Sequence, residues 1–172
     1  IGKRQAKGPL SKEAVNFIEE AVQENEPFFI YLPYNAPHSP FQAPEEEIQQ
    51  IKNLKGTKKI YAAMVKSMDK GIGKILDKLD ELKIADNTFI LFFSDNGGVN
   101  KVSAANQLRD GKFSVYEGGT RVVAAARWHK GEISGGTIID SNPNGYIDVL
   151  PTTCTVTGSD AATSRTGNKI EY

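Results

Sequence analysis

The sequence predicts an α/β fold with a mainly parallel sheet flanked by helices, built as part of one domain across residues 1–172. Two short apolar runs, Phe28-Phe29-Ile30-Tyr31-Leu32 and Phe89-Ile90-Leu91-Phe92-Phe93, have the length and composition of strands apolar on both faces, as in a sheet buried between helices. Segments with helical periodicity alternate with them, which favours parallel strands joined by crossover helices. Each run ends in a cluster of polar residues, proline or glycine, at the carboxyl edge where open α/β sheets place their ligands.

Residues 1–10 read as an irregular lead-in. A helix is expected from Ser11, a credible N-cap, because Val15, Ile18 and Val22 repeat at helical spacing and Phe17 and Ala14 widen the stripe. Glu13 in its first turn suits the helix dipole. Pro27 closes the connection to the Phe28–Leu32 strand, whose end runs into Pro33-Tyr34-Asn35-Ala36-Pro37-His38-Ser39-Pro40, too rich in proline to continue a sheet. Pro44-Glu45-Glu46-Glu47 opens a short helix, with proline in its first turn. A longer helix spans about 59–83, where Tyr61, Met64, Met68, Ile72, Ile75, Leu76, Leu79 and Leu82 form one stripe, the methionines filling core. Asp86-Asn87 marks the turn before the Phe89–Phe93 strand.

A long glycine-rich loop then runs from Gly97 to Gly119, a length that is uncommon inside a compact domain and often functional. Arg121 to Trp128 is expected as a third strand despite three alanines, which are poor strand formers. Thr137-Ile138-Ile139 reads as a further strand or edge, and a helix is expected from Tyr146 to about Val156. No internal repeat or low-complexity tract occurs.

The totals exclude several functions. Lys plus Arg equals Asp plus Glu, 21 each, so no global charge argues for nucleic acid or an anionic membrane as partner. No run approaches the roughly 20 apolar residues of a membrane helix. A single cysteine, Cys154, cannot form an internal disulfide, and with two histidines it cannot build a zinc finger. The first residue is Ile, and the last ten end without a clear helix or strand, so the chain reads as a piece of a longer protein whose compartment it does not reveal.

The chemistry-bearing residues fall in three clusters: His38, the pair Asp95-Asn96, and Lys112 with Tyr116-Glu117-Gly118-Gly119-Thr120-Arg121. With parallel strands, all three gather at one edge of the sheet. Asp95 and Asn96 offer hard oxygen ligands, half of a divalent-cation site, and the glycines after them permit close backbone approach. A cation and a lysine suit an anionic ester such as a sulfate or phosphate, offsetting charge as the transition state develops. His38 is placed to give a proton to the leaving oxygen. Taken singly, each has a plainer explanation: a loop histidine between prolines, an Asp-Asn-Gly turn, a solvated lysine, a tight Gly-Gly turn. Only their joint occurrence points to a site.

Several of these segments also resemble the type I, formylglycine-dependent sulfatases of the alkaline phosphatase superfamily. Phe28–Leu32 followed by Pro37-His38-Ser39-Pro40 is similar to that family's histidine-bearing segment, and Asp86 through Gly97 to its second metal-ligand segment. Leu108-Arg109 through Gly111-Lys112 and Tyr116–Arg121 resembles its lysine-bearing loop. Tyr61–Met64 through Met68-Asp69 and Gly73 resembles the intervening helix, and Tyr146-Ile147-Asp148-Val149-Leu150-Pro151-Thr152 the segment that follows. The resemblance spans nearly the whole chain in the family's order, making residues 1–172 the middle-to-late part of one catalytic domain.

It implies an alkaline-phosphatase-like fold that hydrolyses sulfate esters of small molecules or saccharides, with a divalent cation, usually Ca2+, and a formylglycine nucleophile. By position Asp95 and Asn96 would be metal ligands, His38 would bind sulfate or assist the leaving group, and Lys112 would contact sulfate and the leaving oxygen. A periplasmic, secreted or lysosomal location is implied in the same way. Three departures accompany the match. Cys154 is followed by Thr155-Val156-Thr157-Gly158 and does not fit the Cys- or Ser-x-Pro-x-Arg pattern of the modified residue, nor does any serine. The family's first pair of aspartate ligands has no counterpart. Val122-Val123 stands where the family often has proline. The chain alone is therefore expected to be inactive, with at most weak cation binding. A phosphodiesterase or phosphonate hydrolase of the same superfamily, or a non-catalytic sulfated-sugar binding module, are the alternatives.

Overall fold

The computed structural model of the chain describes residues 9–100, 102–103, 107–131, 133–138 and 144–159. The lead-in through residue 8, Ile139 and the end of the chain from residue 160 lie outside the described residues.

Helix α1, Leu10–Gln23, buries Ala14, Ile18 and Ala21, the three-to-four spacing of an amphipathic face. The expected N-cap is corrected. Pro9 precedes the helix, its carbonyl accepting from the N–H groups of Lys12 (2.9 Å) and Glu13 (3.1 Å), and Ser11 lies within the first turn. The Ser11 hydroxyl is instead 2.8 Å from the Tyr34 hydroxyl, so it ties α1 to the following extended segment.

Helix α2, Glu45–Gln50, starts after Pro44, and helix α3 spans Gly56–Glu81. Ala63, Met64, Gly71 and Leu79 are the buried residues of α3, so Met64 fills core as expected and Met68 is half-buried. The core proper is Ile18, Leu79 and Ala85, with Phe28, Ile30, Ile75, Leu82, Ile84 and Ile90 packed around it. Ile18 and Leu79 are almost fully enclosed, each contributing about 1.5–3 kcal/mol through burial. Gly71 sets the closeness of α1 to α3, since a Cβ there would lie 2.2 Å from the Ser11 hydroxyl oxygen. Lys78 adds a rim of ion pairs to Glu19 (2.8 Å) and Glu81 (2.6 Å), which raise its pKa.

Strand β1, Ile90–Phe93, follows the short 3-10 turn Ala85–Asn87 and pairs antiparallel with β2, Ala124–Arg127. The register sets Leu91, Phe92 and Phe93 opposite Ala126, Ala125 and Ala124, so each bulky residue faces a small one. The alanine run is thus a strand, because cross-strand context outweighs its weak intrinsic preference. Two expectations change here. The described strand pair is antiparallel, and β1 is covered on one face, with Leu91 and Phe93 exposed. Phe28–Leu32 is extended but joins no ladder among the described residues. Its burial still alternates, with Phe28, Ile30 and Leu32 inward and Phe29 and Tyr31 exposed, the period of a strand without a partner. Thr137 and Ile138 are irregular.

Helix α4 is the single turn Glu117–Thr120, and α5, Val149–Thr157, follows a 3-10 turn at Tyr146–Asp148, close to the expected C-terminal helix. Among the described residues no helix is long and apolar enough to cross a membrane.

Candidate functional site

The Asp95-Asn96 pair owes its position to the end of the β ladder. Beyond Phe93, the Ser94 N–H still donates to the Val123 carbonyl at 3.1 Å, carrying strand order to the residue before Asp95. The Ser94 hydroxyl then donates to the Asn96 carbonyl at 3.0 Å, turning the chain. The Asn96 amide donates to one Asp95 carboxylate oxygen, so both side chains occupy the same place at the strand's carboxyl end. Asp95 is exposed and Asn96 half-buried.

The loop that follows folds back through backbone contacts. Gly97 N–H donates to Gly119 O (2.9 Å), Lys112 N–H to Gly98 O (3.0 Å), and Gly118 N–H to Arg109 O (2.9 Å). Glycine is required because the strands of this knot touch. A Cβ at Gly97 would stand 1.8 Å from the Gly118 carbonyl oxygen, and one at Gly118 would stand 2.0 Å from the Asp110 carbonyl oxygen. What the sequence presents as a Gly-Gly turn is the wall of a close-packed backbone cluster.

Side chains hold the far limb of the loop. Asp110 has a positive φ of 64°, a conformation Asp tolerates better than most residues. Its carboxylate accepts from the Asn100 amide (2.8 Å) and the Gly111 N–H (3.0 Å). The Asn100 bond above all, then Ser114, the Gly111 N–H and nearby Arg109, hold that carboxyl below its ordinary range, against burial. The Arg109 guanidinium stacks over the Tyr116 ring, 3.5 Å from its centroid. Sequence reasoning assigned Asn100, Arg109 and Asp110 no role. The signals for them were an Asp-Gly step in a loop and, for Arg109, its place in the segment that resembles the lysine-bearing loop.

The backbone of Lys112 is thereby tied to Gly98, two residues beyond Asn96. Lys112 is half-buried, its ammonium 5.4 Å from the Phe113 ring centroid. His38 is held differently. Tyr34, tied to Ser11, and Phe41, packed edge-on against Tyr61 at 5.9 Å, anchor its proline-rich segment to α1 and α3. His38 N–H donates to Asn35 O (2.8 Å), and Nδ1 lies 2.7 Å from the Ser39 carbonyl. A carbonyl only accepts, so Nδ1 carries the hydrogen and Nε2 is the nitrogen left for a ligand. These bonds are local, and none joins His38 to Asp95 or Lys112. A hollow of about 230 Å³ between α1, α3 and this segment is lined by Ser11, Tyr34, Gln42, Met64 and Met68, apart from the Asp95–Lys112 cluster.

Among the described residues no three His, Cys, Asp or Glu side chains converge on a cation site. The Asp95 carboxylate and the Asn96 amide oxygen nonetheless have the donor chemistry of hard-cation ligands, and they supply two of the six to eight oxygens that Ca2+ takes. Cys154 is buried within α5, an inert position for a thiol.

A family model described as Sulfatase matches residues 4–159. The chain is 34% identical over 154 residues to the N-acetylgalactosamine-6-sulfatase of Canis lupus familiaris, covering 86% of the chain and 28% of that protein. It is 37% identical over 131 residues to the uncharacterized sulfatase YdeN of Escherichia coli K12, covering 74% of the chain and 23% of the relative. Among solved structures, Ps i-CgsB in complex with k-i-k-neocarrahexaose superposes with a TM-score of 0.82 at 42% identity, over 88% of the chain and 34% of that structure. The chain therefore spans about a quarter to a third of the proteins it matches.

Proposed function

The chain belongs to the sulfatase family, with that family's alkaline-phosphatase-like α/β fold, and from this premise we propose that it forms the middle-to-late part of the catalytic domain of a sulfuric ester hydrolase. The observation that supports this most is the glycine knot, which ties the oxygen-bearing strand end Asp95-Asn96 to the backbone of Lys112. An anionic ester between them would meet a lysine on one side and cation-binding oxygens on the other.

In this reading Asp95 and Asn96 hold a divalent cation, Ca2+ by preference, which when bound supplies positive charge to the sulfate oxygens. The remaining ligands and the formylglycine nucleophile come from outside residues 1–172. Lys112 contributes its ammonium to the sulfate and to the leaving oxygen as charge develops there. Its half-buried position strengthens that attraction relative to water. His38 directs Nε2 to the substrate. Because Nδ1 keeps its hydrogen on Ser39, Nε2 gives a proton only from the imidazolium and otherwise accepts a hydrogen bond. Sulfated saccharides are the preferred substrate class, in line with the neocarrahexaose named for the Ps i-CgsB complex. An exported location, periplasmic, secreted or lysosomal, goes with that chemistry.

The test is hydrolysis of an aryl sulfate with Ca2+ by the complete polypeptide that carries this chain, beside Lys112→Ala and Asp95→Ala. Loss of a charge contact to the transition state should lower turnover by about 10²–10³ in each variant. Turnover of phosphate esters in place of sulfate esters would reassign the site to phosphoryl transfer. Calcium-dependent binding of a sulfated sugar without turnover would make the chain part of a binding module.

A further inference from the structure

Among the described residues, the side chain that follows Lys112 is left unpacked. Phe113 is 98% exposed and has a φ of 75°, and no described residue packs against its ring except the Lys112 ammonium at 5.4 Å. A bulky residue in the left-handed region is a steric outlier, and such strain persists where the surroundings or a function require it. Asp110 shares that conformation, but its carboxylate gains two hydrogen bonds there. Phe113 gains none. An apolar side chain this exposed, on a loop already fixed by Lys112 N–H to Gly98 O (3.0 Å) and Ser114 N–H to Gly111 O (3.1 Å), is available to something that arrives from solvent.

Its neighbour limits what that something is. A cation and an aromatic face side by side match a ligand that carries an anionic group on a ring, the anion going to Lys112 and the flat or apolar face of the ring to Phe113. Resting on the reading of Lys112 given above, we propose that Phe113 is a specificity-determining contact that selects sulfate esters of ring alcohols, sugar or aryl, by stacking on the ring of the esterified alcohol. Val115, 89% exposed two residues further on, extends the apolar lip. Inorganic sulfate, having no ring, makes no use of Phe113.

The experiment uses 4-methylumbelliferyl sulfate as the ring-bearing probe and inorganic sulfate as a competing ligand, on the complete polypeptide. Phe113→Ala should raise KM for the aryl sulfate by about ten-fold, the size of one lost ring contact, with a smaller effect on kcat. Phe113→Trp should restore it, and the Ki of inorganic sulfate should stay as in the parent. An unchanged KM in Phe113→Ala, or an equal rise in KM and in the sulfate Ki, overturns the proposal. So does a fall in thermal midpoint common to Phe113→Ala and Phe113→Trp, which would mean that other polypeptide covers the ring. The underlying reading fails separately, when Lys112→Ala leaves the sulfate Ki unchanged. Where no turnover is seen, binding of the same probe, read from its coumarin fluorescence, takes the place of KM and decides the role of Phe113 alone.

Discussion

Replacing Gly97 by alanine should separate the backbone knot from every other source of stability in the chain. The added methyl would stand 1.8 Å from the Gly118 carbonyl oxygen and 2.8 Å from both the Gly118 carbonyl carbon and the Gly119 Cα, all main-chain atoms. Ordinary contact begins near 3.4 Å, so the Glu117–Thr120 turn would have to withdraw by more than an ångström. That movement breaks Gly97 N–H to Gly119 O and strains Gly118 N–H to Arg109 O, both 2.9 Å in the native chain. Overpacking costs about 1–3 kcal/mol, and each lost hydrogen bond about 1 kcal/mol, so destabilisation of about 2–5 kcal/mol is expected. Gly73→Ala is the internal control. It lies within α3, nothing stands within 4 Å of the place its new methyl would take, and the substitution should stabilise by about 0.5–1 kcal/mol. Urea unfolding followed by the fluorescence of Trp128, the one tryptophan, reports both. A Gly97→Ala protein unfolding within about 0.5 kcal/mol of the parent would refute the close-packing argument.

Acid should weaken the fold through Glu47. This carboxylate is buried where α2 meets α3 and pairs with Lys70 and Lys66, and the Lys70 hydrogen bond above all holds it below its ordinary value of 4.5. A depressed folded pKa contributes stability that is present above 4.5 and is lost as pH falls through the lower folded value. The thermal midpoint should therefore decline below about pH 4.5, and Glu47→Gln should lower the midpoint at neutral pH while flattening that decline; equal slopes in the two proteins would show that Glu47 is not the group responsible. Asp110 follows the same sign from an ordinary value of 3.8, and Asp110→Val should loosen the 97–119 loop more than Asp110→Asn, which tolerates positive φ; equal protease sensitivity in that loop would contradict this.

The parts of the fold readable in the sequence are those fixed by period and length. The stripes of α1 and α3 needed only helical spacing, and β1 needed only a short apolar run ending in polar residues. Phe28–Leu32 carries the same signal as β1 and keeps the alternating burial of a strand, yet it forms no ladder among the described residues. A ladder is a property of a pair, and periodicity within one segment cannot report whether its partner is present. Ser11 shows the same limit at a helix end. Its hydroxyl had two partners available, the first turn and Tyr34, and the tertiary one prevailed. The site divides along the same line. Asp95, Asn96 and Lys112 were visible as residue types able to hold a cation and an anion, whereas the contacts that join them lie between glycines whose sequence signal is merely a turn.

That division has a consequence for how the site tolerates change. The loop is tied down through the N–H of Lys112 and the main chain of Gly97, Gly98, Gly118 and Gly119, not through the Lys112 ammonium or the Asp95 carboxylate. Lys112→Ala and Asp95→Ala keep every one of those backbone bonds, and each removes a half-buried or exposed group that supports no core packing. Their effects on anion and cation binding should therefore come without loss of stability, within about 0.5 kcal/mol of the parent. Gly97→Ala should lose stability and binding together, since the frame that sets the distance between the two charges is gone. A Lys112→Ala protein that unfolded as readily as Gly97→Ala would show that the ammonium, rather than the main chain, is what holds the loop to the strand.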